Sequence, residues 1–416
     1  MSGTGTRADH ELTIARLPIV CPEGISGDPF VQDVLAILTS RQLTNGARVR
    51  EFEETTAGYL GVPHCIAVSS CTAGLLLTLR ALDLHGEVIV PSFTFHATAH
   101  SVLWNGLKPV FVDCDEHTFC IDPVAVEQKV SPATTAILAV HLFGCPADVR
   151  KLEPICANAS KGIPLICDAA HAFGSKIGPR HVGTFGTAEI FSFSPTKLLV
   201  AGEGGLIATP DAGLARRLRA ARNYGDAGDA NPELLGLNAR MSEFHAALAL
   251  NGFKGLDARI ERRNQIRLQY VQRLKSVPGI TCQQVPNGNW STWKDMSVLV
   301  DELVFGGSRD ALQSFLREQN IETRRYFWPA VHQQRLYRDI WDGEPLPVTE
   351  RVSNQVLNLP IYSSLSDEDV NRVCDAVFQA FELGQRATTR RKERVGTENR
   401  MRGFPSLPAD SLGSRT

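Results

Sequence analysis

FSFSPTKLLVAGEGG, residues 191 to 205, decides the fold. It opens with the alternation of a β-strand, reaches one lysine, Lys197, directly after Ser-Pro-Thr, and runs into a glycine-rich turn. An isolated lysine at such a point is ordinarily a solvated surface residue. The alternative is an amine held as a nucleophile at the edge of a sheet. The two readings separate on what else the chain brings to that edge.

Working outward, six further short apolar runs read as strands: HCIAVSS (64–70), EVIVPSF (87–93), KPVFVDCD (108–115), TAILAVHLF (135–143), PLICDAA (164–170) and GGLIAT (204–209). Most are rich in Val, Ile and Phe and end in small or polar residues, the pattern of strands covered on both faces. TAGLLLTLRAL (72–82) and VRKLEPICANAS (149–160) read as helices between them. The alternation predicts an α/β domain with a mainly parallel sheet.

From about residue 255 the character changes. LDARIERRNQIRLQYVQRLKSV (256–277) predicts a long amphipathic bridging helix. DMSVLVDELVF (295–305), RDALQSFLREQNIET (309–323) and SDEDVNRVCDAVFQAFEL (366–383) predict a smaller α+β unit. The expected division is a loose N-terminal arm (1–24), a large domain (25–270), a small C-terminal domain (271–384) and a polar, disordered tail (385–416). The 416 residues are too many for one core of ordinary size and suit two domains.

Composition narrows the function classes. The 43 basic and 45 acidic side chains give a net charge of −2, so no overall field favours nucleic acid or an anionic membrane. The 10 cysteines form no CxxC pair and no metal-like spacing with histidine, which predicts reduced thiols, no metal site and a cytoplasmic protein. No secretory signal or membrane-spanning run is evident.

In open α/β sheets ligands sit at the carboxyl ends of strands. The strand-end residues here are Ser69 to Thr72, Pro91 to Phe95, Asp168 to His171, and Ser192 to Lys197. The small polar residues opening the helix at 72–82 form either an N-cap or a phosphate cradle. Asp168 is a helix cap, a solvated loop residue or a carboxylate facing a cationic ring nitrogen. Phe95 is either core or a stacking ring, and His171 a structural hydrogen-bonder or a catalytic group. Taken together, an amine nucleophile, a phosphate cradle, a carboxylate and an aromatic ring are the parts a pyridoxal 5′-phosphate site needs.

With LTNGARVREFEE, VIVPSFTFHATAHSVLWNGLKPVFVDCD, HLFGCPADV, DAAHAFGSKIGPRHVGTFG, GLNARMSEFHAAL and VLNLPIYSSLSDEDV in order along the chain, the sequence resembles the DegT/DnrJ/StrS sugar aminotransferases, of the aspartate-aminotransferase type I fold, over roughly residues 25 to 383. The resemblance implies that Lys197 binds the cofactor covalently, Asp168 faces its ring nitrogen, and Phe95 and Ala170 pack on its two faces. His171 would lie near the ring's phenolic oxygen. Cys71 (through its amide), Thr72 and Ser192 would hold the phosphate, and Asn238 and Arg240 would reach the neighbour's phosphate in a homodimer with shared sites. Pyridoxamine 5′-phosphate would be the alternate form. Tyr224, Arg324, Arg325 and His332 are candidate substrate contacts. Three departures stand out: Cys71 where the family usually has Gly or Ala, His171 where many members have Gln, and SPTKLL in place of an HPTK turn.

The implied reaction moves an amino group from glutamate or glutamine to a keto sugar, most often nucleotide-linked, in amino-sugar or antibiotic biosynthesis. Alternatives are a keto-cyclitol acceptor, another pyridoxal phosphate reaction such as sugar dehydration, and a non-catalytic homologue that binds a sugar nucleotide. Retention of Lys197 and Asp168 argues against the last.

Overall fold

The computed structural model describes residues 15–23, 27–341 and 343–402. Among these residues thirteen strands form: β1 (His64–Val68), β2 (Glu87–Pro91), β3 (Lys108–Val112), β4 (Thr134–Val140), β5 (Leu165–Asp168), β6 (Lys176–Ile177), β7 (Arg180–His181), β8 (Ala188–Ser192), β9 (Gly205–Thr209), β10 (Ile280–Cys282), β11 (Asn289–Trp290), β12 (Met296–Val300) and β13 (Val356–Leu359).

Seven of them make the main sheet, in the order β1-β9-β8-β5-β4-β2-β3. The ladders from β8 through β5, β4 and β2 to β3 are parallel, and β9 alone runs against its neighbours β8 and β1. The near-continuous apolar runs have a direct cause. Successive strand residues point to opposite faces, and both faces are covered. Cys65, Ala67, Ile137, Ala139, Cys167 and Phe191 enter one core, while Ile66, Val68, Ala136, Leu138, Ile166 and Ile190 enter the other. The predicted helices form at Cys71–Ala81 and Val149–Asn158. A short sheet, β11-β6-β7, lies apart from the main one.

His141, just after β4, is fully buried and donates from Nε2 to Glu189 Oε1 at 2.8 Å, while its Nδ1 accepts the Ala147 N–H at 2.9 Å. Glu189 also accepts the N–H groups of Gly183 and Phe185. Cys167 completes a close His–Cys–Glu group, but every histidine and glutamate position in it is already committed to a protein partner.

The helix Leu256–Leu274 joins the two halves. Leu256 and Ile260 belong to one core of the main sheet; Ile266, Tyr270 and Leu274 belong to the core built around the antiparallel sheet β10-β12-β13. One helix thus contributes to both cores.

Two segments differ from expectation. The described part of the arm is fastened down. Leu17 exchanges backbone hydrogen bonds with Asn320 and Glu322, and Glu23 accepts the N–H groups of Ser363 and Ser364 at 2.9 and 2.7 Å. Buried Leu17 and Ile19 provide the apolar anchor. At the other end, the helix beginning at Asp367 continues to Arg402, into the segment expected as a tail. Residues 403–416 and 1–14 lie outside the described residues. Among the described residues no helix is long and apolar enough to cross a membrane.

Candidate active site

A cavity of about 350 Å³ opens at the carboxyl ends of the main-sheet strands. It gathers Cys71, Thr72, Phe95, Asp168, Ala170, His171, Ser192 and Lys197, eight of the residues singled out in the sequence.

The cradle side is built from β1 and its helix. Ser70 is the N-cap, extended at φ −164° and ψ 162°, and its Oγ accepts the Ala73 N–H at 3.1 Å. That uses one free donor of the first turn and leaves the N–H groups of Cys71 and Thr72 toward the cavity end of the helix, where anions are favoured. The glycine run explains how this turn seats against the sheet. A Cβ on Gly205 would lie 2.5 Å from the Ser70 carbonyl carbon and 2.6 Å from the Cys71 nitrogen, so only glycine permits that approach.

Asp168 ends β5 and is buried. Its Oδ2 accepts from Thr98 Oγ1 at 2.8 Å, its Oδ1 accepts from the Ala170 N–H at 3.1 Å, and the Cys71 Sγ lies 3.7 Å from Oδ1. All three partners are neutral. Burial pushes the carboxyl above its ordinary range, an effect the Thr98 and Ala170 hydrogen bonds oppose. A protonated ring nitrogen is the partner such a group lacks, since an opposite charge favours the ionised form.

His171 accepts the Phe143 N–H on Nδ1 at 3.1 Å and stacks on the Phe143 ring at 5.9 Å between centroids. This fixes the tautomer with the proton on Nε2. Burial, then the charges of Lys197 and Lys294, push its pKa well below the usual histidine value, so it is a neutral donor. Lys197 is itself pushed down to about 8, first by burial and then by Lys294, against the opposing pull of Cys71, Asp295 and Asp168. An amine held down in this way is a competent nucleophile near neutral pH. Phe95, 48% exposed, presents its ring at the cavity and leaves a face free for a flat ligand.

The remaining candidates lie elsewhere in this chain. Asn238 pairs with Asn223, Arg240 donates to the Oδ1 atoms of Asn238 and Asn223 at 3.2 and 3.1 Å, and its guanidinium lies over Tyr224. None of Tyr224, Asn238 and Arg240 is among the residues lining the cavity. His332 is buried, with Nδ1 2.6 Å from Ser92 Oγ and Nε2 3.4 Å from Glu350, and also stands outside it. Arg324 bridges to Asn358 beside a separate groove, and Arg325 binds Asp310 and lies over Trp328.

Sequence reasoning missed Thr98, Lys294, Asp295, Tyr326 and Phe327. All but Thr98, which binds Asp168, line the cavity. The available signal was the charged pair Lys294-Asp295 set directly before the apolar strand β12.

The model of the DegT/DnrJ/EryC1/StrS aminotransferase family matches residues 25–378. The chain belongs to that family. It is 34% identical over 363 residues to the dTDP-4-amino-4,6-dideoxy-D-glucose transaminase of Escherichia coli, covering 86% of this chain and 96% of that protein. Among solved structures it is similar to DesI, described in the presence of its TDP-sugar product, at 37% identity and TM-score 0.85, covering 91% of this chain and 96% of that one. It is also similar to DesV of S. venezuelae, in complex with a ketimine intermediate, at 32% identity and TM-score 0.81, covering 88% and 99%. Members of the DegT/DnrJ/EryC1/StrS family depend on pyridoxal phosphate. The cavity fits that cofactor. It joins a lysine amine of lowered pKa, a buried carboxylate with only neutral donors, and a helix start pressed on a glycine.

Proposed function

We propose that this aminotransferase acts on a nucleotide-linked keto sugar, taking its amino group from glutamate or glutamine, as a homodimer with shared sites. The observation that carries the reading is the convergence of Lys197 and Asp168 in one cavity at the carboxyl ends of β5 and β8. The names of the E. coli relative and of DesI support the nucleotide-sugar acceptor.

Pyridoxal phosphate, when bound, supplies the electron sink that lets the Cα–H bond of an amino acid break. The chain's own residues do the rest. Lys197 would hold the cofactor and, once released, act as the base that moves the proton from the donor's Cα. Asp168 would keep the ring nitrogen protonated by charge. His171, a neutral Nε2–H donor, would hydrogen-bond the ring's oxygen. The Cys71 and Thr72 amides with the Thr72 and Ser192 hydroxyls would hold the phosphate, and Phe95 and Ala170 would confine the ring. Helix Gly27–Ser40 leaves Val31, Leu35 and Leu38 exposed, an apolar face suited to cover by a second subunit.

Absorbance tests the proposal. The loaded enzyme should show a band near ~415 nm that moves to ~330 nm with L-glutamate or L-glutamine and returns with dTDP-4-keto-6-deoxyglucose. A band that neither amino acid moves would sink the transaminase reading. Return with a keto-cyclitol but with no nucleotide sugar would sink the acceptor assignment.

A further inference from the structure

Lys294 and Asp295 close one side of the cavity, at the start of β12. Their side chains are 5% and 3% exposed, and Lys294 Nζ lies 2.9 and 3.0 Å from the two Asp295 oxygens. An ammonium has three donors. This one has no other hydrogen-bond acceptor among the described residues and lies 5.9 Å from the centroid of the Tyr326 ring, so donor capacity is left over in a side chain that lines the cavity. A buried ion pair is poor evidence for stability, because desolvation offsets the attraction.

The pair is also held rigidly. Trp293 sits at φ 46°, a left-handed conformation costly for a bulky side chain and kept only where the surroundings impose it. The Lys294 N–H donates to the Phe143 carbonyl at 3.0 Å, and buried Arg263 donates to the carbonyls of Trp293 and Lys294 at 3.1 and 3.4 Å. The backbone on both sides of the lysine is therefore pinned from the large domain and from the bridging helix.

Resting on the transaminase reading, the cavity must receive two unlike molecules in turn. The first carries a carboxylate one bond from its reacting carbon, and the second reacts at a neutral ring. Lys197 and Lys294 are the only cationic side chains among the described residues that line the cavity, and Lys197 is committed to the reacting carbon. We infer that Lys294 receives the α-carboxylate of the amino donor, with Asp295 as the positioning residue that holds it. When the carboxylate leaves, Asp295 remains as counter-charge, so the same wall can face an uncharged sugar ring without a bare buried cation.

The test follows the first half-reaction of the loaded enzyme by absorbance, with L-glutamate and with 4-aminobutanoate, which is glutamate lacking its α-carboxylate. Lys294→Met should slow glutamate by the weight of a charge-assisted hydrogen bond. Because the variant also removes a charge that acts on Lys197 whatever the substrate, the readout is a ratio: glutamate should lose about ten- to hundred-fold more than 4-aminobutanoate or the return reaction with dTDP-4-keto-6-deoxyglucose. Lys294→Arg should restore part of the preference for glutamate. If Lys294→Met does not fold or load, Lys294→Met/Asp295→Asn, which leaves no unpaired buried charge, should show the same lost preference. Equal slowing of both amines, slowing confined to the sugar, or loss of the preference in Arg240→Ala instead would overturn the inference. A wild-type band unmoved by glutamate or glutamine would instead overturn the transaminase reading beneath it.

Discussion

Thr98 donates its hydroxyl proton to Asp168 across 2.8 Å, from the first turn of the helix after β2 to the end of β5. The bond favours the ionised carboxylate, which burial opposes. Asp168→Asn should therefore keep the cofactor and lose most of the turnover, because an amide cannot hold a ring proton by charge. Thr98→Val should act in the same direction more weakly, lowering turnover about ten-fold for one lost bond to a charged group. Steady-state kinetics with cofactor content measured in parallel checks both. Near-normal turnover of Asp168→Asn at full cofactor content would contradict the assigned role.

Lys197 carries the pH signature. Burial and then the Lys294 charge push its amine down to about 8 from the 10.5 of an ordinary lysine. In the cofactor-free enzyme its labelling by an amine reagent should be half-maximal near pH 8, rising as the proton is lost. Lys294→Met removes a repelling charge and should move that midpoint upward. The linkage sign is definite. Between pH 8 and 10.5 the unfolded chain holds a proton that the folded chain has released, so this group's contribution to stability rises with pH across that window. Peptide mapping locates the label, and equal early labelling of Lys161 or Lys176 would contradict the assignment.

How much was legible follows the chain's own geometry. Strand ends such as Asp168 and the Ser192–Lys197 turn could be read because an apolar run stops at a polar residue, a local event. Both faces of the sheet could be inferred because near-continuous runs need two covers, and two cores supply them. Lys294 and Asp295 could not be placed. They directly precede β12, almost a hundred residues further along the chain, and only tertiary packing brings them beside Lys197. His332 had a suggestive sequence setting, yet its ring is spent on Ser92 and Glu350. The anchoring of Leu17 against residues 320–322 is a pairing over three hundred residues apart, beyond the reach of local pattern.

Glu243 illustrates a carboxylate that serves the fold. It is 3% exposed and accepts the N–H groups of Gly46, Arg48 and Val49 at 2.7, 2.8 and 3.0 Å, capping the helix Ala47–Leu60 from a distant segment. Helix starts leave such donors without intrahelical partners. Glu243→Ala should destabilise the protein by about 2–3 kcal/mol, the scale of hydrogen bonds to a charged group. Denaturant midpoints at one fixed protein concentration check this, and an unchanged midpoint would show that water replaces the carboxylate at no cost.

Asn238 and Arg240 decide the shared-site proposal. They form a small polar cluster with Asn223 and Tyr224 and do not line their own chain's cavity. If they complete the neighbour's phosphate site, cofactor and dimer stabilise each other by linkage. Asn238→Ala should then weaken cofactor retention and dimer stability together, whereas Thr72→Ala should weaken cofactor binding from within the same chain. Mixing Lys197→Ala with Asn238→Ala subunits should restore activity above either parent. Of the two sites in such a heterodimer, one joins the intact Lys197 of the second variant to the intact Asn238 of the first. The mixture is read by activity after subunit exchange, with heterodimers verified by differential tagging and the Asn238→Ala parent clearly impaired. Verified heterodimers with no recovery would mean that Asn238 acts within its own chain.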